Sequence, residues 1–445
     1  MKRFLAAVLA LTGALSAMAD EASLRIPSFA FGGQIASWLE LPAPASRGMP
    51  DSLAPVSGRE RASARLTMDW ESASLSLGAS AALGRDGGRP ELAVDEALLA
   101  AAPADFLTVK LGRFRLDDSA ALLLGVADFL CPQDVETLLS GDAEEASLPE
   151  DLLAVTFLAG DFSFRLVCAP FEPPSVLPDP GSPWFPDAIL PQSLEILGNT
   201  HTIRGVEVAD PAPGQFVLDP AFLAAVAYSG NRGDVGASFF AGPDRDAAWS
   251  SNVLLDSLML PGKFDAELFR RGGYVKGASL SGSLILGEWR IAAESSYRNG
   301  KEADTSELDD TGAALIWNYL PETIDEAAGV LSLSWSPASA PIRAVAEIRG
   351  SRWFGAEAGT LLPTLGNTAA FALSWSLPIF DSTIDALYLV SLTDSSTAAT
   401  LRGTLPFGAD AELSILVPLF SGDGESELGR YGQQPVATVA LKARF

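Results

Sequence analysis

The sequence contains one histidine, His201, and two cysteines, Cys131 and Cys168, among 445 residues. Serine hydrolase triads need an imidazole as general base near neutral pH, and only His201 could supply it. Zinc sites are built from several His and Cys ligands, and two cysteines are too few for a disulfide framework. The composition therefore predicts that the chain is not an enzyme and that it has no metal site and no cofactor.

Long apolar runs and basic residues are also scarce. Hydrophobic residues make up 48% of the chain and mean hydropathy is +0.22, but no run after the N-terminal segment reaches the ~20 residues of a membrane helix. Lys and Arg number 30 against 56 Asp and Glu, which leaves a formal net charge of −26. Such a charge repels nucleic-acid phosphates and therefore argues against nucleic acid as a partner.

The N-terminus has the three parts of a secretory signal. Lys2 and Arg3 precede the apolar run FLAAVLALTGAL, and the small-x-small site at 17–19 follows. The run is too short for a transmembrane anchor. We therefore predict a cleaved signal peptide at 1–19 and a single domain at 20–445.

Apolar and polar residues alternate along the rest of the chain, which is the period of a strand with two unlike faces. In AAFALSWSL, Phe371, Leu373 and Trp375 share one face, and Ser374 lies on the other. The same alternation occurs in RASARLTMDW, SASLSLGASA, DFSFRLV, EWRIAAESSYR and AELSILVPL. Each run predicts a strand with one apolar and one polar face.

The connections between these runs alternate between short turns and long loops. Turns such as 160–161 and 287–288 contrast with loops at 116–151, 172–220, 243–271 and 421–434. This order predicts an all-β, transmembrane, up-and-down antiparallel β-barrel of about 18 strands (16 to 20), with short periplasmic turns and long extracellular loops. Segments 201–209 and 312–320 can be read as further strands.

A soluble sandwich or solenoid would also alternate, but its charged face would lie outside. Here one face carries Leu, Val, Phe and Trp with almost no charge, and the other carries Ser, Thr, Gly and Ala with scattered charges, which favours the barrel. The predicted lumen-lining residues are basic at Arg65, Lys110, Arg165, Arg290, Arg298, Arg343, Arg349, Arg402, Lys442 and Arg444, and acidic at Glu294, Glu347 and Glu412. Placing a charged side chain against lipid costs several kcal/mol, so the charged face is expected to line a water-filled lumen. A barrel of this width can hold water, and the excess of Arg and Lys would make its lumen basic.

The segment PVATVALKARF alternates in the same way and ends in an aromatic residue. Val439 and Leu441 face away from Lys442 and Arg444, and Phe445 follows. Such a strand resembles the assembly signal that outer-membrane proteins present to the barrel-insertion machinery. The resemblance implies an assembly signal at Leu441 and Phe445, with that machinery and outer-membrane lipid as partners.

Residues 94–134 contain an acidic-apolar strand, a Pro-x-Asp turn, a Gly-Arg strand and a loop with an aromatic-x-x-Pro-x-Asp element. The residues concerned are Glu96, Pro103, Asp105, Gly112, Arg113, Phe129, Pro132 and Asp134. The stretch resembles the early hairpin of porin-like outer-membrane proteins of diderm bacteria, including spirochaetes, although Cys131 stands where Asn is usual. The resemblance implies a class of barrel and an outer-membrane location, but no particular substrate.

Two functions fit these features. One is a passive channel for small hydrophilic solutes, anion-preferring because of its basic lumen and narrowed by the 116–151 loop. The other is a structural or surface-display barrel with a plugged lumen, whose acidic loops bind ions or a partner.

The acidic clusters at 142–151 and 302–310 lack EF-hand spacing and are better read as solvated loops. Nothing in the sequence marks a subunit interface.

A disulfide between Cys131 and Cys168 would pin the 116–151 loop to the barrel rim in an oxidising compartment. Alternation, however, places Cys168 with Phe164 and Leu166 on the lipid face. These two considerations leave the bond open.

Deleting Phe445, or replacing it with a charged residue, should impair insertion into the outer membrane and leave secretion across the inner membrane intact. The reason is the loss of the terminal aromatic residue of the assembly signal. Fractionation with a heat-modifiability gel measures the outcome, and normal outer-membrane levels of the truncated chain would contradict it.

Overall fold

The computed structural model describes residues 28–42, 57–70, 72–83, 91–116, 119–130, 147–171, 193–208, 218–244, 248–257, 260–271, 273–303, 305, 309–310, 315–319, 321–356, 366–378, 381–408, 410–423, 426–429 and 436–444. The predicted signal peptide, Cys131 and Phe445 lie outside these residues. No helix in the described part of the chain is long and apolar enough to span a membrane.

The described residues form 24 β-strands. They are β1 (Ser28–Pro42), β2 (Ser57–Asp69), β3 (Ala73–Leu83), β4 (Glu91–Ala104), β5 (Leu107–Phe114), β6 (Glu150–Ala159), β7 (Phe162–Phe171), β8 (Ser193–Ile196), β9 (Asn199–Val208), β10 (Leu218–Gly230), β11 (Gly233–Pro243), β12 (Ala248–Leu255), β13 (Gly262–Arg271), β14 (Tyr274–Leu286), β15 (Trp289–Ala303), β16 (Asp309–Asp310), β17 (Ile316–Tyr319), β18 (Glu322–Trp335), β19 (Ile342–Phe354), β20 (Thr368–Ser376), β21 (Thr383–Ser391), β22 (Thr397–Phe407), β23 (Ala411–Ser421) and β24 (Val436–Arg444).

Eighteen of the described strands pair into one antiparallel sheet that closes on itself. Each strand of the set pairs with the next one along the chain, and β24 pairs with β1, with Lys442 opposite Ala36. Tight turns such as 160–161, 231–232 and 287–288 lie at one end. This confirms the predicted all-β up-and-down barrel and its strand count. The connection between β21 and β22, however, spans only 392–396, although it lies at the end of the long loops.

The faces of the barrel wall are inverted relative to a soluble protein. On β20 the exposed side chains are Phe371, Leu373 and Trp375, whereas Ala370 on the other face is buried. The same holds around the wall, where exposed Leu, Ile, Val, Phe and Tyr alternate with buried Ser, Glu and Arg. An apolar surface this extensive is unfavourable in water and favourable against lipid tails.

Six further strands form a second sheet that the sequence did not predict. They come from three connections, between β7 and β10, between β11 and β14, and between β15 and β18, and their order is β16-β17-β12-β13-β9-β8. The segments near 201–209 and 312–320 are strands, but β9 and β17 belong to this sheet and not to the barrel. The expectation that 172–220 and 243–271 are plain loops is wrong, because strands from separate loops pair with each other, including the parallel pair β9 and β13.

One face of the second sheet is apolar and the other is charged. Val253, Phe264 and Leu268 have no exposed surface. On the opposite face Arg204 donates hydrogen bonds to Asp256, at 3.1 Å, and to Asp265. The Arg204 guanidinium lowers the pKa of Asp265 below its usual range.

Replacing Leu373 with Arg should lower the free energy of unfolding by ~2–4 kcal/mol, because the charge would face the apolar middle of the bilayer. The matched control is Ser374→Arg on the other face of β20, which should be tolerated. Denaturant unfolding in lipid vesicles measures both, and equal losses would mean that water or protein covers both faces of the strand.

Candidate functional site

The inner segment (119–130) crosses the inside of the barrel after β5. Near its start, Ala121, Leu124 and Val126 pack against side chains of β18, β20, β21 and β22. At its end, Phe129 and Leu130 pack against side chains of β6, β7, β10, β11 and β14. The segment therefore lies against the wall between β6 and β22 and covers that part of the lumen.

Glu294 of β15 binds the main chain of the inner segment through both carboxylate oxygens. Its side chain is 4% exposed. One oxygen accepts three hydrogen bonds and the other accepts two. The five donors are the Ser119 hydroxyl (2.8 Å), the Ala120 amide, and the amides of Ala121 (2.8 Å), Val126 (2.9 Å) and Ala127 (3.2 Å).

Glu347 of β19 continues this pattern. Its carboxylate, on a side chain that is also 4% exposed, accepts hydrogen bonds from three consecutive amides of the inner segment. They are those of Leu122 (2.7 Å), Leu123 (3.0 Å) and Leu124 (2.8 Å). Five successive amides, from 120 to 124, thus point at two wall carboxylates.

Two arginines on the same wall bind carbonyl groups of the inner segment. Arg290 donates to the Ala120 carbonyl at 2.9 Å, and Arg298 donates to the Asp128 carbonyl at 3.2 Å. The Arg298 guanidinium also lies 5.1 Å from the ring centroid of Phe129, which is cation–π distance. The wall therefore holds both the amides and the carbonyl groups of the inner segment.

The energetics explain why carboxylates occupy these places. Desolvating a carboxylate costs several kcal/mol, and this cost is recovered only when its lone pairs are satisfied. A hydrogen bond to a charged group contributes about 1.5–3 kcal/mol. With five donors on Glu294 and three on Glu347, both groups are satisfied. These two predicted lumen residues therefore lie beneath the inner segment and act on its main chain.

Two glycines make this close approach sterically feasible. A Cβ at Gly277 of β14 would come within 2.7 Å of the Phe129 ring, which stacks on Phe240 with centroids 5.4 Å apart. A Cβ at Gly125 would lie 2.1 Å from the Ser119 hydroxyl, inside the turn that brings both 119–121 and 126–127 to Glu294. Larger residues would displace the inner segment at both places.

A second piece of the long-loop end, the covering segment (426–429), packs on the inner segment. Leu428 has no exposed surface and joins the apolar cluster of Leu124 and Val126. The Glu427 amide donates to the Asp394 carboxylate at 2.6 Å. Burial raises the pKa of Asp394, but hydrogen bonds from the Ser396 hydroxyl and from the amides of 427 and 396 outweigh it and lower that pKa to about 2. The carboxylate therefore stays charged, and holds the covering segment, down to strongly acidic pH.

The wall opposite the inner segment borders a cavity of about 700 Å³, the side cavity, formed by β1 to β5 and the end of β24. Its described lining carries five cationic side chains and two carboxylates. The cations are Arg61, Arg65, Lys110, Arg115 and Arg444, and the carboxylates are Asp95 and Glu96. In the described part of the chain, the side cavity is thus a place where charged side chains border open space.

Both carboxylates of the side cavity already have cationic partners. Arg61 donates to Asp95 at 3.0 Å, and Ser80 bridges the two. Arg65 donates to Glu96. The consecutive acids both reach the cavity because the register of β3 and β4 shifts next to them, at Gly78 and Ala79. Arg61 could have been predicted by extending the alternation of Arg65, but Asp95 could not, because the bulge breaks that alternation.

Among the other predicted lumen residues, Glu412 pairs with Arg444 of the side cavity, and the rest lie elsewhere on the wall. Arg165 and Arg349 are half-buried, and Arg343 is exposed near the start of β19. Arg402 lies opposite Asp385, and Glu412 lies opposite Lys442 and accepts a hydrogen bond from Arg444 at 3.1 Å. That these residues line water stays a prediction.

The remaining candidates are placed as follows. Leu441 is exposed on β24, and its role in an assembly signal with Phe445 stays a prediction. Cys168 is a free cysteine beside Leu153 and Phe222 on the outer face, and Cys131 lies outside the described residues, so the disulfide also stays a prediction. His201 is fully buried on β9 beside Gly262, which leaves it no surface for a substrate in this conformation.

No protein-family model matches the chain, and no curated protein matches it. Among solved structures, Salmonella typhi OmpF in complex with daunomycin aligns over 94% of this chain and 98% of its own, at 9% identity and a TM-score of 0.45. A triple mutant of the Rhodopseudomonas blastica porin aligns over 94% and 100%, at 13% identity and a TM-score of 0.42. OmpT, an outer membrane protein of Vibrio cholerae, aligns over 95% and 99%, at 11% identity and a TM-score of 0.40. These three structural neighbours are bacterial porins and outer-membrane proteins.

Replacing Glu294 with Gln should lower the free energy of unfolding by about 3 kcal/mol or more. The new amide group would face two or three N–H or O–H donors that it cannot accept from, and buried unsatisfied donors cost ~1–3 kcal/mol each. The inner segment should also become cleavable by proteases. Denaturant unfolding and limited proteolysis in vesicles measure both effects.

The control is Glu412→Gln, which removes a carboxylate from an ion pair with a mostly exposed arginine, worth roughly 0–1 kcal/mol. Equal stability and equal protease resistance in the two variants would show that Glu294 does not hold the inner segment.

Proposed function

We propose that the chain is an outer-membrane channel for passive diffusion of small hydrophilic solutes, narrowed by the inner segment. The observation that carries this proposal is the attachment of that segment to Glu294 and Glu347 on one wall, with the side cavity on the opposite wall. If the interior of the barrel were only a packed core, side chains from both halves of the wall would fill it. Here the apolar side chains of the segment face one half of the wall, and charged groups line the other half.

The location follows from the surface of the barrel. Exposed aromatic and aliphatic side chains surround the wall, which suits a strand-built protein in a lipid bilayer. The signal sequence at 1–19 would direct the chain across the inner membrane, and the terminal strand would direct its insertion into the outer membrane. The protein itself would carry out no chemistry and would need no cofactor.

Anion preference is the finer part of the proposal. Five cations line the side cavity, and three of them are paired with Asp95, Glu96 and Glu412, which still leaves the cavity positive. Charges that line a narrow passage act on an ion at short range, whereas acidic loops at the mouth are screened beyond a Debye length of ~8 Å at physiological salt. The passage would therefore prefer anions although the whole chain carries a net charge of −26.

A structural or surface-display barrel is the second candidate. The second sheet favours it, because three long connections build an ordered element with one charged face that could meet an ion or a partner. Conductance in a planar bilayer distinguishes the two functions, since a plugged display barrel would not conduct.

Reversal potentials in a salt gradient should show that anions are more permeant than cations. The loop residues Asp134, Glu136, Glu144 and Glu145 lie outside the described residues and could oppose the basic wall. A variant with all four made neutral provides the control. Cation preference that survives in this variant would contradict the assignment of the basic wall to the passage.

A further inference from the structure

The side cavity combines excess positive charge with apolar wall, and this combination selects a class of solute. We propose that it is a binding site for small organic carboxylates that carry a compact apolar group, which the channel takes up in preference to inorganic anions. This inference rests on the proposed channel function and names the solute class of the same passage.

The charge argument begins with the pairs already formed. Asp95 is held by Arg61 and Ser80, Glu96 is held by Arg65, and Arg444 is paired with Glu412, so the carboxylates at the cavity are already used. In the described part of the chain, Lys110 has no ion pair, and its side chain is exposed to the cavity. An anion entering the cavity would supply the missing negative charge, and a carboxylate can do so through charge-assisted hydrogen bonds.

The shape argument concerns the uncharged lining. Leu98 and Phe114 border the cavity from β4 and β5, and both also pack on the apolar cluster that holds Phe129 and Leu130. Gly32 of β1 and Gly78 of β3 present no side chains to the opposite part of the lining, which leaves room there. A hydrated inorganic anion gains nothing from this apolar wall, whereas a short aliphatic or aromatic group gains about 25 cal/mol for each Å² it buries.

The position of the cavity makes such binding relevant to transport. Among the described residues, the inner segment covers the wall from β6 to β22, so solutes that cross the barrel would pass along the uncovered wall, which includes β1 to β5. A solute that binds there would slow the passage of a smaller ion. Binding should therefore be visible as a block of chloride current.

The experiment measures chloride current through the full-length protein in a planar bilayer while benzoate is added. Benzoate should reduce the current in a saturable manner, acetate should do so only at clearly higher concentration, and benzyl alcohol should have no effect. Lys110→Met should raise the half-blocking concentration of benzoate about tenfold, as expected for the loss of one hydrogen bond to a charged group. Leu98→Ser should raise the half-blocking concentration of benzoate toward that of acetate.

The matched control is Lys276→Met, which removes a cation from the outer face of β14 and should leave the block unchanged. A heat-modifiability gel establishes that each variant is folded. Block by inorganic phosphate as strong as that by benzoate, or block unchanged in Lys110→Met, would overturn the proposal. Reversal potentials recorded on the same bilayers report anion preference separately, so a channel that prefers anions but is not blocked by benzoate would refute only this inference.

Discussion

The interior of this barrel depends on two buried carboxylates that accept hydrogen bonds from one stretch of main chain. Glu294 and Glu347 satisfy seven amides and one hydroxyl of the inner segment, and these amides have no sheet or helix partners of their own. A chain crossing a water-filled lumen would otherwise leave its amides to solvent and could adopt many conformations. With the main chain held in this way, the apolar side chains of the segment pack into two clusters on the wall.

The inner segment also makes the lumen asymmetric. Its apolar side chains meet small or apolar residues on the wall that it covers, such as Ala328, Ala370 and Val275. On the uncovered wall the same inward positions carry Arg61, Arg65 and Lys110. Both halves carry inward charges, but on the covered half Glu294 and Glu347 bind the main chain of the inner segment, whereas on the other half charged side chains border the side cavity.

Alternation made the barrel predictable, because the side-chain period of a strand is local and the strand count follows from it. The predicted inward positions of Glu294 and Glu347 needed no tertiary information. Their partners did, since about 170 and 225 residues separate them from the amides that they bind. Asp95 escaped prediction for a different reason, which is that a bulge next to Glu96 changes which residues share a face. The second sheet was missed because its pairing joins strands from separate loops.

These misses have one physical origin. A strand in a closed barrel has its neighbours chosen by chain order, so local pattern is sufficient to place it. A strand in a loop has free edges and can pair with any loop at the same end of the barrel, in parallel or antiparallel, as β13 does with β9 and β12. The same freedom applies to the inner segment, which enters the lumen because the wall offers two carboxylates and a glycine-lined place for Phe129. The position of the inner segment is therefore determined by a few wall residues. The alternation shows that these residues face inward, but it does not show which of them bind the segment.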